Sequence, residues 1–176
     1  MKRFEILRAV AVAMLMSGVG ALADTTKTDG AGSTAQSNEV VRPLQLALIP
    51  EVQLVPEDES IQGLRLNIYG SNRNVSGVDI GLVHETKGNF TGVAFGIMSL
   101  VRGEGRGLLF NGIYTEAAKS MSGLQVGMVN RSASMHGVQI GLANFADDMV
   151  GFQFGLWNEI KNRDNWNIIP LINANF

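Results

Sequence analysis

Residues 123–158 read GLQVGMVNRSASMHGVQIGLANFADDMVGFQFGLWN, three units that each open on glycine (Gly123, Gly137, Gly151). Apolar side chains follow one, three and five positions later: Leu124, Val126, Met128; Val138, Ile140, Leu142; Phe152, Phe154, Leu156. Between them stand Gln125, Gln139 and Gln153 and a second glycine, Gly127, Gly141 or Gly155, and each unit closes on Asn130, Asn144 or Asn158. Apolar residues at every second position describe a β-strand with one face turned to a core. The same frame continues towards the N-terminus from Gly107, Gly92, Gly77 and Gly63, with second glycines at Gly96 and Gly81. Successive leading glycines are 14, 15, 15, 16, 14 and 14 residues apart, so seven units span about residues 61–158. A fixed period of this kind is the signature of a repeat architecture.

The alternation assigns the +1, +3 and +5 side chains to the core and the glutamines and second glycines to the opposite face. A further apolar residue precedes most leading glycines by two positions: Ile61, Val75, Phe90, Met121, Met135, Met149. Apolar residues at −2 and then at +1 break the parity. A corner or bulge is therefore expected at the leading glycine, which reaches backbone angles closed to other residues. The second glycine, in mid-strand, predicts close approach by a neighbouring backbone.

Two all-β architectures accommodate these units. In a β-solenoid-like sheet each unit is one coil, and equivalent glutamines and asparagines stack into ladders. In an up-and-down antiparallel meander each unit is one strand, joined by hairpin turns and able to close into a small outer-membrane β-barrel. Three outward apolar positions cover only about 13 Å of strand, or about 10 Å after tilt, against the ~25 Å band that a barrel requires. The final alternating stretch ending on Phe176 is of the kind that closes barrels. Duplicating a coil preserves every neighbour relation, whereas duplicating one strand of a meander reverses its direction. The solenoid is the expected fold, as a single domain over residues 39–176 with flanking strands at 43–56 and 166–176. Both flanks contain proline and lie outside the repeat, which suits them to capping the stack.

The N-terminus reads differently. Lys2, Arg3 and Arg8 precede a small, apolar run over residues 9–23 that ends Ala21-Leu22-Ala23 before Asp24. That is the pattern of a cleavable signal peptide, residues 1–23, and its apolar run is short for a membrane span. Residues 24–38 (DTTKTDGAGSTAQSN) hold no branched aliphatic or aromatic side chain and read as a flexible polar leader. Removing residues 1–23 takes away three basic residues and one acidic residue, leaving 11 basic and 15 acidic, net −4. Such a chain has no electrostatic basis for binding nucleic acid. With 176 residues and no cysteine, disulfide frameworks, thiolate metal sites and a cysteine nucleophile are all excluded. With 21 glycines but only 4 prolines and no Gly-X-Y period, so is collagen.

The GLQVGMVN, GVQIGLAN and GFQFGLWN units resemble the Gly-Leu-Gln-Ile-Gly-Leu-x-Asn repeat of a bacterial surface-repeat family named from a leptospiral locus. The flanking PLQLALIPEVQLVPEDESIQGLRLNIYGSNRNVSGVDIGLVHETKG and IIPLINANF are similar to that family's opening and terminal segments, so the likeness runs over about residues 43–176. Asp79, Ala94 and Leu109 stand where the glutamine belongs, and His84 and Ser99 where the asparagine belongs. The resemblance implies an exported protein of the periplasm, outer membrane or cell surface of a diderm bacterium. It supplies no activity, substrate or catalytic residue. Members of the family that carry a lipid-attachment cysteine differ from this chain, which has none.

Few residues suggest chemistry. RGEGRG (residues 102–107) lacks the Lys-Ser/Thr of a phosphate loop. His84 and His136 stand without carboxylates at metal-ligand spacing and read as surface or corner residues. Glu57, Asp58 and Glu59, like Asp147 and Asp148, read as solvated turns. Asn74, Asn89 and Asn130 begin glycosylation sequons, which weigh little in a bacterial protein. Asp79 is the single acid in the +2 series from Arg65 to Gln125, too few for an acid-lined glycosidase groove. The sequence thus predicts no catalytic, cofactor-binding or metal site. It points to a non-enzymatic envelope or surface protein with a structural or binding role, in which self-association is one possibility and membrane contact follows only from a barrel.

Overall fold

The computed structural model describes residues 39–163 and 166–176; the expected signal peptide and polar leader lie outside the described residues. The fold is all-β, a solenoid of about seven turns with about 14 residues per turn. Its strands are β1 (Val41–Ile49), β2 (Val52–Gln53), β3 (Ser60–Asn72), β4 (Val75–Thr86), β5 (Phe90–Val101), β6 (Glu104–Val126), β7 (Val129–Ile140), β8 (Ala143–Gly155), β9 (Trp157–Ile160) and β10 (Leu171–Asn175). They form one sheet in the order β10-β8-β7-β6-β5-β4-β3-β1-β2, with β9 also on β8. From β1 through β3 to β8 every neighbour on this path is parallel. A meander and an up-and-down barrel both need antiparallel neighbours, so the registers exclude them. Among the strands just named, β2 and β10, at the two ends, pair antiparallel, and an isolated antiparallel bridge joins Glu159 to Ile168. The flanking segments therefore occupy the ends of the stack, and the edge strand at the N-terminal end is just two residues long. A short edge offers little template for further pairing.

The registers stack equivalent positions on one another. Gly63 pairs with Gly77, Gly77 with Gly92 and Gly92 with Gly107. Gly123 pairs with Gly137 and Gly137 with Gly151. β6 is long because it carries two successive units, and a Cβ on Gly123 would stand 2.1 Å from the Gly107 carbonyl oxygen. All seven leading glycines have φ between +117° and +148°, a backbone region that L side chains rarely adopt.

Which side of each strand faces inward is the reverse of the sequence expectation. Ile80 is 46 % exposed, while its neighbour Asp79 is fully buried, and the same inversion recurs in successive units. The +1, +3 and +5 residues point out to solvent, and Gln125, Gln139 and Gln153 point in. The second glycines, expected opposite the core, line it. The leading glycine is not where the parity breaks: −2, +2 and +4 face inward across it without interruption. The break comes after the second glycine, since +4 and +7 both face inward, and the chain bends at Gly127–Met128 and Gly141–Leu142.

The reason is the girth of the coil. Fourteen residues enclose a thin interior, too narrow for bulky side chains from every inward position. One column takes them: Ile61, Val75, Phe90, Met121, Met135 and Met149 are all buried, each contributing about 1.5–3 kcal/mol relative to exposure. Smaller or isolated apolar side chains such as Ala94, Val101, Leu109, Ala117 and Ile160 add to it, and much of the remaining interior is polar and hydrogen-bonded along the stack. Gln139 donates to Gln125 Oε1 (2.7 Å) and Gln153 to Gln139 Oε1 (2.9 Å). Asn130 donates to Asn144 Oδ1 (2.8 Å) and Asn144 to Asn158 Oδ1 (2.7 Å). At the C-terminal end Asn173 Nδ2 donates to Gln153 Oε1 (3.2 Å), so β10 closes the glutamine ladder as well as the sheet. At the N-terminal end Gln45 donates to the Val55 carbonyl (2.9 Å) and accepts from the Val55 N–H (2.8 Å).

Candidate interaction surface and the polar core beneath it

The outward side chains of successive units make three parallel rows. One runs Leu44, Leu64, Val78, Val93, Leu108, Leu124, Val138, Phe152; the next runs Leu46, Leu66, Ile80, Phe95, Phe110, Val126, Ile140, Phe154. The third row includes Leu48, Ile68, Leu82, Ile97, Met128, Leu142 and Leu156, all exposed. β10 extends the first two rows with Ala174 and Ile172. No charged or hydrogen-bonding side chain interrupts them. Near the middle Phe95 and Phe110 stack with ring centroids 5.4 Å apart, and at the C-terminal end Phe176 packs edge-on to Phe152 at 5.2 Å. A continuous apolar patch of this kind on a folded domain marks an interaction site.

The border of the face is polar. Gln62, Ser76, Thr91, Arg106, Ser122 and His136 occupy the position before the leading glycines, with Val150 as the exception. Arg106 is paired with Glu104 at 3.4 Å. At the N-terminal end an apolar groove of about 740 Å³ opens between the β1–β2 arm and the face, lined by Leu46, Leu48, Val52, Leu54, Leu66 and Ile68 among others.

Beneath the face, the N-terminal coils replace the glutamine and asparagine ladders with a buried charged cluster. Arg65 Nη2 lies 2.5 Å from Asp79 Oδ2, and His84 Nδ1 lies 2.8 Å from Asp79 Oδ1. Asn67 Nδ2 donates to Asp79 Oδ1 (2.8 Å), Arg65 Nη1 donates to the Glu85 carbonyl (2.9 Å), and the other His84 ring nitrogen is 3.0 Å from the Phe95 carbonyl oxygen. Burial pushes the Asp79 carboxyl up, but the Arg65 charge and the hydrogen bonds from His84 and Arg65 outweigh it and hold the carboxyl below its usual range. Arg65, Asp79 and His84 are sealed from solvent. Such a cluster fixes the register of its coils and presents nothing to a substrate. His84, expected at the surface or a corner, is thus interior and faces a carboxylate 5 positions away in sequence, at the equivalent of the asparagine position.

The second glycines make room for the asparagine ladder. A Cβ on Gly141 would lie 2.2 Å from the Gly127 carbonyl oxygen and 2.6 Å from Asn130 Nδ2. In the first unit the two positions exchange residues: Asn67 stands where the glycine would be and Gly70 where the asparagine would be, and a Cβ on Gly70 would meet the Asn67 side chain at 3.0 Å.

The remaining sequence candidates are dispersed. Glu59 pairs with Arg42 (2.8 Å), Glu57 with Lys87, and Asp147 with Lys161 (3.7 Å); Asp148 accepts from Asn162 (3.1 Å). Residues 102–107 form a turn and the start of β6. His136 is exposed in the border row, and Asn130 is buried in its ladder, while Asn74 and Asn89 accept at turns from the N–H of Asn89 (2.8 Å) and Glu104 (2.9 Å). Among the described residues no group of three or more His, Asp or Glu side chains is placed to hold a metal. The apolar face is the feature that sequence reasoning missed. The parity of the −2 column was the available signal, because alternation from a buried −2 residue puts +2 and +4, and not +1, +3 and +5, on the inside.

No protein family, curated protein or solved structure matches this chain.

Proposed function

We propose that the chain is an exported, non-enzymatic envelope or surface protein of a diderm bacterium that works by binding through its apolar sheet face. The uninterrupted rows of exposed apolar side chains carry this reading. The thin coil turns these side chains outward and keeps glutamine and asparagine inside, and so large an exposed apolar area supports a binding role for the outside of the coil. The N-terminal signal pattern and the repeat's resemblance to bacterial surface repeats support export. Fractionation of the native cell into soluble periplasm, outer membrane and medium, with mass determination of the mature N-terminus, tests it. Recovery outside the cytoplasm with Asp24 as first residue is expected; a cytoplasmic chain beginning at Met1 would overturn export. Loss of envelope association in Phe110→Glu tests the face.

A further inference from the structure

From that reading of the face we infer its partner: a second copy of this chain, packed face to face with the two solenoid axes antiparallel. Size is the first argument. The eight rungs of the solenoid and β10 stack at about 4.8 Å, giving a length of about 38 Å. Three rows at two-residue spacing, with their flanks, give a width of about 17 Å. The resulting area of about 650 Å² is close to the ~800 Å² per partner of a stable interface.

Anatomy is the second. An uncharged apolar centre with a polar border is how protein interfaces are built. The alternative occupant, a lipid surface, calls for Lys and Arg beside the apolar stripe. The border supplies Arg106, which is already paired with Glu104. Two flat sheet faces pack at about 10 Å with interdigitating side chains, and rows repeated at the rung spacing are self-complementary under a two-fold axis.

The ends of the face choose the orientation. The N-terminal end is concave, the groove beside Leu46, Val52 and Ile68. The C-terminal end projects Leu156 and Phe176, which are 66 % and 84 % exposed. A two-fold axis along the strands, through the middle rung that carries Phe110, lays each projection over the other copy's groove. Parallel axes would set groove on groove and projection on projection. Phe110 and the adjacent Phe95 then sit at the centre of the interface, where aromatic anchors contribute most.

The absence of cysteine permits a clean test. Sedimentation velocity of the purified protein at micromolar concentration is expected to give twice the chain mass, and Phe110→Glu to give the monomer with unchanged far-UV circular dichroism. Because a charge can also disturb folding, Phe110→Cys serves as the second variant. It is expected to cross-link to itself on mild oxidation, while Lys87→Cys, outside the face, does not and Phe176→Cys cross-links to Leu46→Cys but not to itself. A folded monomer at every concentration overturns the proposal, as does a dimer that ignores Phe110→Glu and lacks the Phe110→Cys cross-link. If that monomer floats with phosphatidylcholine–phosphatidylglycerol vesicles and Phe110→Glu abolishes flotation, the face still works and its partner is lipid. If Phe110→Glu alters neither association, flotation nor envelope recovery, the reading of the face falls as well.

Discussion

Gln139 Nε2 donates to Gln125 Oε1 at 2.7 Å, across two coils and wholly inside the solenoid. The Gln139 side chain also accepts from Gln153, so it is the middle of a chain of amides whose polar atoms have no water to turn to. Gln139→Leu leaves an acceptor on Gln125 and a donor on Gln153 short of a partner. The expected loss is about 1–3 kcal/mol, read as a lower urea midpoint. The triple variant Gln125→Leu, Gln139→Leu, Gln153→Leu removes the donors and acceptors of the glutamine pairs together, leaving Asn173 Nδ2 at the end of the ladder without its acceptor. Its loss is expected to fall well short of three times the single one, because the penalty belongs to stranded groups and not to missing amides.

That ladder also shows what the sequence could and could not tell. The Gly-apolar-Gln-apolar-Gly unit at Gly137 fixes a strand and a repeat, and with the 14-residue period it favours stacked coils. The direction in which the strand faces is a separate matter. An alternating strand turned over buries the opposite set, and ordinary propensity places Val138 and Ile140 inside. The coil's small girth decides otherwise. Gln139 and Gly141 fit where two β-branched side chains do not, and amides stacked along the axis satisfy one another. The buried Arg65–Asp79–His84 cluster was harder still to read, since its members lie in two different units and meet only through the Arg65–Asp79 register.

Three glycines separate close approach from backbone angle. Gly112 has no heavy atom nearer than 4.0 Å to an added Cβ, so Gly112→Ala is expected to be neutral or to stabilise by about 0.4–1 kcal/mol. Gly141→Ala drives its Cβ to 2.2 Å from the Gly127 carbonyl and is expected to destabilise by about 1–3 kcal/mol. Gly137 adds a φ of +136° to a 2.1 Å approach to the Gly123 carbonyl, and Gly137→Ala is expected to be the worst of the three. Thermal melts of the three variants, ranked in that order, check the assignment; equal melting temperatures would refute it.

Tyr69 donates its hydroxyl to Glu85 Oε2 at 2.9 Å. Burial, then the Glu85 charge and hydrogen bond and the Glu57 charge, push the phenol up to about 12. The folded value lies above the unfolded one of about 10, so the stabilisation is complete below pH 10 and is lost as pH rises through 12. In a Tyr114→Phe background, absorbance at 295 nm is expected to show no phenolate until well above pH 10. Glu85→Gln is expected to move the transition down.

Asp79 governs the acid limb. Its folded value is held below the unfolded one of about 3.9. The stabilisation is therefore fully present above the ordinary carboxylate range and is lost as pH falls through the folded value. Protonation removes the counter-charge from Arg65, which is buried and has no access to water. Asp79→Asn does the same at neutral pH while keeping a group able to hydrogen-bond His84. It is expected to cost about 3–5 kcal/mol at pH 7, the usual consequence of leaving one member of a buried pair behind. Urea midpoints for the two proteins are expected to differ widely at pH 7 and to converge as the pH is lowered. A gap that stays constant down to pH 2 would show that ionisation of Asp79 is not linked to folding and that its carboxyl is not held below its unfolded value.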